Sequence, residues 1–213
     1  MWPKTLTAFT VMSDVSKDFR ARVIPFQDIA AVILAGGRSS RFGRNKALEK
    51  VDGVPLIEKV IDVVRPLFEH LMISTNTPEE YAYLDLPMHE DLIKGLGPLG
   101  GIYTALETIK QDGGFVVACD MPFLNRGLIR HMVEIKAGFD VVVPRIDWKI
   151  EPLHCLYRKS CLPTIKRSID SGRYQIIKFF SEVSVRYVDV DEITPFDPEL
   201  RSFFNINRPQ EVV

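Results

Sequence analysis

Residues 30–46 read Ala-Ala-Val-Ile-Leu-Ala-Gly-Gly-Arg-Ser-Ser-Arg-Phe-Gly-Arg-Asn-Lys, and this stretch constrains the chain more than any other. From Ala31 to Ala35 every side chain is apolar, which predicts a strand buried on both faces. Two glycines stop it. Gly36 and Gly37 lack a Cβ, so the backbone there can turn tightly and approach a ligand closely. Arg38, Arg41, Arg44 and Lys46 follow within ten residues. A buried strand, a loop with exposed amides and a group of cations together suit a triphosphate. The amides hydrogen-bond its oxygens and the cations neutralise its charge.

Neither of the two commonest phosphate loops matches. A Walker A loop needs Gly-Lys-Ser/Thr, whereas Gly43 precedes Arg44 and Lys46 precedes Ala47. A dinucleotide fingerprint needs G-x-G-x-x-G, which Gly36-Gly37-Arg38 lacks. The pattern L-A-G-G-x-S-x-R-x-G-x-x-K resembles the signature loop of nucleotidyltransferases with a Rossmann-like fold, and its second glycine resembles the guanylyl-transferring members. Arg41 and Lys46 are the candidate phosphate clamps. Arg38 and Arg44 read as solvated surface charges.

Downstream, apolar runs alternate with helical periodicity. Leu56 to Leu67 carries apolar residues at helical spacing, opened by Pro55. Leu71–Thr75 reads as a strand closed by Asn76-Thr-Pro78, and Pro78 to Leu84 as a short helical turn. Leu86–Asp91 is a weak strand. Helices are expected over Ile102–Lys110, ended by Gly113-Gly114, and over Leu124–Lys136. Further strands are expected at Phe115–Cys119 and Asp140–Val143. This alternation predicts an α/β fold with a mostly parallel central sheet and helices on both faces. Ligands of such sheets bind at the carboxyl ends of the strands, where Gly36, Asn76, Asp91, Asp120 and Pro144 all fall.

After Glu151 the pattern changes. Pro152–Tyr157 alternates loosely, Cys161–Ile169 and Gly172–Phe180 hold helical patterns, and Val183–Val188 reads as a strand. A last short strand is expected over Phe203–Asn207, then a closing helix from Arg208. The chain divides into an extension, 1–28, and one domain, 29–213. It has 213 residues, enough for one sizeable core. The net charge of −1 gives no broad field for nucleic acid. No apolar run has the length of a membrane span. Three cysteines without C-x-x-C spacing suit a reducing cytoplasm better than a disulfide framework.

Asp120 is the leading candidate for chemistry. It directly follows a buried strand, and Mg²⁺ favours carboxylate oxygens combined with substrate phosphates. The competing reading makes Asp120 the cap of the helix near Leu124. Ser74 and Asn76 are candidates for reading a base edge, although Asn76 also suits an Asn-Thr-Pro turn. His154 and Cys155 read as core. Gly95-x-Gly97-x-x-Gly100 is a literal dinucleotide fingerprint with an acid at Asp120, so an NAD-dependent oxidoreductase is the rival reading. A polar preceding stretch containing Pro87 speaks against it, as does Pro98, which lacks an amide proton.

From about Ile29 onward the chain resembles the molybdenum cofactor guanylyltransferases. The resemblance rests on Leu34-Ala-Gly-Gly with Arg41 and Lys46, on Glu90-Asp91 before Gly97-Pro-Leu-Gly-Gly101, on Ala118-Cys-Asp120-Met-Pro, on Glu151-Pro-Leu-His, and on Asn205-Ile-Asn207-Arg-Pro. It implies Mg²⁺-dependent transfer of GMP from GTP to the terminal phosphate of the molybdenum-bearing pterin. By that resemblance Leu34, Ala35, Gly36, Gly37 and Lys46 hold the nucleotide. Ser74 or Asn76, with Asp91, contacts guanine or ribose, and Asp120 binds Mg²⁺ and nucleotide. Gly97, Gly101, Asn205 and Asn207 face the pterin. GTP, molybdopterin and proteins that deliver or accept the cofactor are the implied partners. Asn45, Phe42 and Arg208 stand where relatives usually carry Asp, Met and Thr. Another nucleotidyltransferase, using CTP or a sugar phosphate, and a nucleotide-binding protein without transferase activity are the remaining alternatives.

Overall fold

The computed structural model describes residues 24–36 and 45–206. Gly37, Arg41 and Asn207, the closing helix after Arg208 and most of the 1–28 extension lie outside the described residues. In chain order the elements are β1 (Ile29–Leu34), β2 (Lys50–Val51), β3 (Val54–Pro55), α1 (Leu56–Val64), β4 (Leu71–Ser74), β5 (Met88–His89) and α2 (Pro98–Thr108). They continue with β6 (Gly113–Ala118), α3 (Arg126–Glu134), β7 (Val141–Ile146), β8 (Lys149–Ile150), β9 (His154–Arg158), α4 (Leu162–Asp170), β10 (Val185–Asp189) and α5 (Val190–Ile193).

The main sheet runs β10-β7-β9-β6-β1-β4-β5, with β8 paired to β7. β1 pairs in parallel with both β4 and β6. Its side chains alternate between two cores. Ile29, Ala31 and Ile33 join the helices α1 and α3 on one face, while Ala30, Val32 and Leu34 join α2 and α4 on the other. All six are buried, which explains why the strand is apolar at every position rather than at every second one.

β9 wedges antiparallel between β6 and β7. β7 therefore runs in the same direction as β6 without touching it, and the sheet is mixed where the alternation of elements predicts adjacent parallel strands. The loosely patterned Pro152–Tyr157 segment supplies this strand. From β1 the chain moves outward through β4 and β5, then returns through α2 to place β6 on the other side of β1. The crevice beyond β1 and β6 is thus a topological switch point, where sheets of this kind take ligands.

Three local expectations are corrected. α2 begins at Pro98, not Ile102, so Gly100 and Gly101 form its first turn, and it ends at Thr108. Gly113 and Gly114 open β6 instead of merely breaking a helix. A Cβ on Gly113 would sit 2.5 Å from the carbonyl oxygen of Tyr157, and one on Gly114 2.9 Å from Val32 Cγ2. Residues 203–206 form no strand. A 3-10 turn at Arg201–Phe203 is followed by an extended segment tied down through Ile206, whose N–H donates to the Asp120 carbonyl at 3.1 Å.

Candidate active site

Asp120 lies two residues past β6, at the switch point. Its Oδ2 accepts from Lys46 Nζ at 2.5 Å, and both side chains are about four-fifths buried. The other carboxylate oxygen, Oδ1, is buried with no hydrogen-bond partner among the described residues. A buried acceptor left unpaired is costly unless a ligand completes it. The capping alternative fails, because Asn125 occupies the N-cap of α3 and its Oδ1 accepts from Leu128 N at 3.0 Å. Cys119, next to Asp120, has its thiol pushed up to about 12, first by burial and then by the neighbouring carboxylate. It is no nucleophile at neutral pH.

Lys46 opens a 3-10 turn, Lys46–Leu48. Asn45 caps the turn by accepting from Ala47 N at 3.0 Å. The same side chain donates to Glu80 Oε2 at 2.5 Å and to the Tyr81 hydroxyl at 2.7 Å. Tyr81 is fully buried, and its hydroxyl is placed to donate in turn to Asn45 Oδ1 at 3.0 Å. Burial drives the phenol well above its ordinary value, so it remains a neutral hydrogen-bonding group. The sequence marks Asn45 only as a departure from the family. Nothing in the spacing of residues 45, 80 and 81 announces that they meet.

Leu34 ends β1, and its carbonyl accepts from Cys119 N at 3.1 Å, while the next residue, Ala35, donates its N–H to Ser74 O at 2.9 Å. Ser74, buried, ends β4. Beside it Asn76 and Asp91 are joined twice: Asn76 Nδ2 donates to Asp91 Oδ2 at 2.8 Å, and Asp91 N donates to Asn76 Oδ1 at 3.1 Å. The first turn of α2 closes over these groups. A Cβ on Gly101 would meet Leu34 Cδ2 at 3.0 Å, Ser74 Oγ at 3.1 Å and Asp91 Oδ1 at 3.7 Å. Close approach of helix to strand therefore favours glycine here. Gly101 accordingly groups with Leu34, Ser74 and Asp91 on the β4 side. Thr104, one turn on, anchors the same loop by accepting from Leu92 N at 2.9 Å. Gly97, with φ +62°, caps α2 and is exposed, as is Asn205, adjacent to the Ile206 anchor on Asp120. Gly36 sits at the edge with open space where a Cβ would be.

The dinucleotide fingerprint at Gly95 to Gly100 lacks its setting. It follows a two-residue strand at the edge of the sheet, and a Cβ on Gly100 would sit 3.2 Å from both the Ile93 carbonyl oxygen and Leu96 Cβ. A pyrophosphate loop instead follows a central buried strand. His154 and Cys155 are wholly buried, as expected of core residues. Among the described residues no group of three His, Cys, Asp or Glu side chains is disposed to hold a metal, and no helix is long and apolar enough to cross a membrane.

Residues 31–186 match the family described as the MobA-like NTP transferase domain. The chain is 39% identical over 182 residues to a protein named probable molybdenum cofactor guanylyltransferase of Pelotomaculum thermopropionicum, covering 85% of this chain and 89% of that one. A protein of the same name from Carboxydothermus hydrogenoformans is 35% identical over 185 residues, covering 87% and 93%. Among solved structures, molybdopterin-guanine dinucleotide biosynthesis protein A of Archaeoglobus fulgidus superposes with a TM-score of 0.74 at 31% identity, covering 86% of this chain and 94% of that one.

Proposed function

The chain belongs to the MobA-like NTP transferase domain family, and from that premise we propose that it transfers GMP from GTP to the terminal phosphate of the molybdenum-bearing pterin, with release of pyrophosphate. The observation that carries the reading is the Lys46–Asp120 contact at the switch point, with Asp120 Oδ1 left without a partner among the described residues. The acceptor phosphate attacks the α-phosphorus of GTP; a new P–O bond forms and the α–β bridging P–O bond breaks. The nucleophile is already an anion, so no strong base is called for, and positioning with charge neutralisation supplies the catalysis. Lys46 neutralises phosphate charge. Ser74, Asn76 and Asp91 form the polar wall against which the base and ribose lie, and Gly101 keeps that wall open.

Asp120 suits Mg²⁺ because it offers one buried, unpaired carboxylate oxygen, and a Mg²⁺ site shared with phosphates needs no more protein ligands than one or two. When bound there, Mg²⁺ would offset the charge on the triphosphate and on the departing pyrophosphate. Gly37, Arg41 and Asn207 retain the roles that the family resemblance implies for them. The unpaired thiols of Cys119, Cys155 and Cys161 suit work in a reducing cytoplasm.

Thermal unfolding with Mg²⁺ and each of GTP, CTP, ATP, UTP and NAD tests the reading. A nucleotide at a hundred times its Kd stabilises by about 2.7 kcal/mol. A rise confined to GTP, followed by pyrophosphate release on adding the pterin acceptor, is the expected result. A rise with CTP alone moves the enzyme to cytidylyl transfer. GTP binding without pyrophosphate release makes it a binding protein.

A further inference from the structure

Trp148 is 89% exposed, the most exposed large apolar side chain among the described residues. It sits with Asp147 in the two-residue turn between β7 and β8, whose pairing places Arg145 opposite Ile150 and Ile146 opposite Lys149. The turn is tight, with Asp147 at φ +55°. Its base is braced. Arg145 donates from Nε and Nη2 to the two oxygens of Asp189 at 2.7 and 2.9 Å and stacks over the Tyr187 ring at 4.7 Å. Lys149 Nζ pairs with Glu151 Oε1 at 2.5 Å. The hairpin therefore holds a large planar ring out in solvent on a stiff support.

Strand register fixes where that ring is. Val142 lies opposite Leu156 of β9, and Leu156 lies opposite Phe115 of β6. Val142 and Phe115 are thus level, so the β7–β8 turn and Asp120, which follows β6, both lie at the carboxyl edge of the sheet. Two strand spacings, about 10 Å, separate β7 from β6. Along the carboxyl edge the order is then Ser74, Asn76 and Asp91 on the β4–β5 side, Asp120 and Lys46 in the middle, and Trp148 on the β7 side. In-line attack on the α-phosphorus comes opposite the departing pyrophosphate, and with the base assigned to the β4–β5 side by the proposed function, the β7 side of Asp120 is the stretch of this edge left for the acceptor's ring.

We propose that Trp148 is the aromatic platform on which the planar pterin ring of the acceptor stacks. The inference rests on the proposed function for its acceptor. A flat conjugated ring stacks on indole with little entropy lost, because the platform has only two side-chain torsions and stands on a braced turn.

Steady-state kinetics with GTP and isolated molybdenum cofactor test it. Trp148→Ala should raise the acceptor KM roughly tenfold, the loss expected of one stacking contact, while the GTP KM and the thermal midpoint stay as in the wild type. Trp148→Phe should recover most of the loss. In a Trp2→Phe background, molybdopterin should quench the remaining indole fluorescence, and GTP alone should not. An unchanged acceptor KM in Trp148→Ala, with the wild type turning over normally, overturns the platform and leaves the guanylyl-transfer reading intact. No turnover by the wild type with this acceptor overturns both.

Discussion

Lys46 Nζ stands 2.5 Å from Asp120 Oδ2, joining residues 74 positions apart across the switch point between β1 and β6. The contact neutralises a cation and an anion that the triphosphate would otherwise meet separately. On the proposed function, Lys46 is thereby held where phosphate oxygens would arrive. Asp120→Asn keeps the shape of the side chain and removes its charge. It is expected to fold normally and to lose on the order of 10²-fold or more in kcat, as happens when a preorganised electrostatic group is removed. Lys46→Ala should lose a similar factor in kcat/KM. Pyrophosphate-release rates check both, and Asp120→Asn at wild-type kcat would remove the carboxylate from the mechanism.

Asn45 is expected to act through Lys46. Its side chain caps the Lys46–Leu48 turn and is locked by Glu80 and the buried Tyr81 hydroxyl. Tyr81→Phe deletes the phenolic partner and leaves the amide with Glu80 and the cap. The stability cost should be about 1 kcal/mol, the net worth of one hydrogen bond. The kinetic cost should appear chiefly as a several-fold higher GTP KM. Asn45→Asp sets a second carboxylate beside Glu80, and Glu80→Gln in the same chain should restore activity. If the double variant is no better than Asn45→Asp alone, the Glu80 contact is not what fixes the turn.

Gly101→Ala separates stability from binding. In the first turn of α2 alanine gains up to about 1 kcal/mol of helix propensity over glycine. The added Cβ meets Leu34 Cδ2 at 3.0 Å and Ser74 Oγ at 3.1 Å, so those side chains must shift by tenths of an ångström. The two effects roughly offset in the thermal midpoint, while the displaced Ser74 should weaken GTP several-fold. Isothermal titration with GTP and Mg²⁺ checks this, and an unchanged Kd would place Ser74 away from the nucleotide.

What the sequence showed best was whatever one segment decides alone. β1 and β6 are all-apolar runs, and β4 is apolar up to its last residue, Ser74; a strand buried on both faces can hardly be written otherwise. Lys46 and Asp120 were legible because each sits at a fixed offset from such a strand. Pairing between distant segments was not. β9 is only loosely patterned, and its place between β6 and β7 depends on partners about 40 and 15 residues away, as in Val116 with Cys155 and Val142 with Leu156. Gly113 reads as a helix breaker until the Tyr157 carbonyl appears 2.5 Å from its missing Cβ. Gly100 and Gly101 likewise read as loop, because glycine weakens a helix; only their approach to Asp91, Leu34 and Ser74 explains their presence in α2.

His154 should give the enzyme a measurable acid limb of stability. The imidazole is fully buried, edge-on to Phe115 and Phe203 at 5.3 and 5.2 Å, and neither ring nitrogen has a hydrogen-bond partner. Burial lowers its pKa to about 4 from an ordinary 6.5. The unfolded chain therefore binds the proton more readily than the folded one. The contribution of this residue is intact above about pH 6.5, shrinks as the pH falls toward 4, and is constant below that. Across the window the loss is roughly 3 kcal/mol, the free energy that corresponds to so large a drop in proton affinity. Urea midpoints between pH 7.5 and 4.5 should fall less steeply for His154→Leu, which keeps an apolar side chain against both rings and has no proton to bind. Identical slopes for the two proteins would show that the imidazole binds its proton equally well folded and unfolded, so that burial does not lower its pKa.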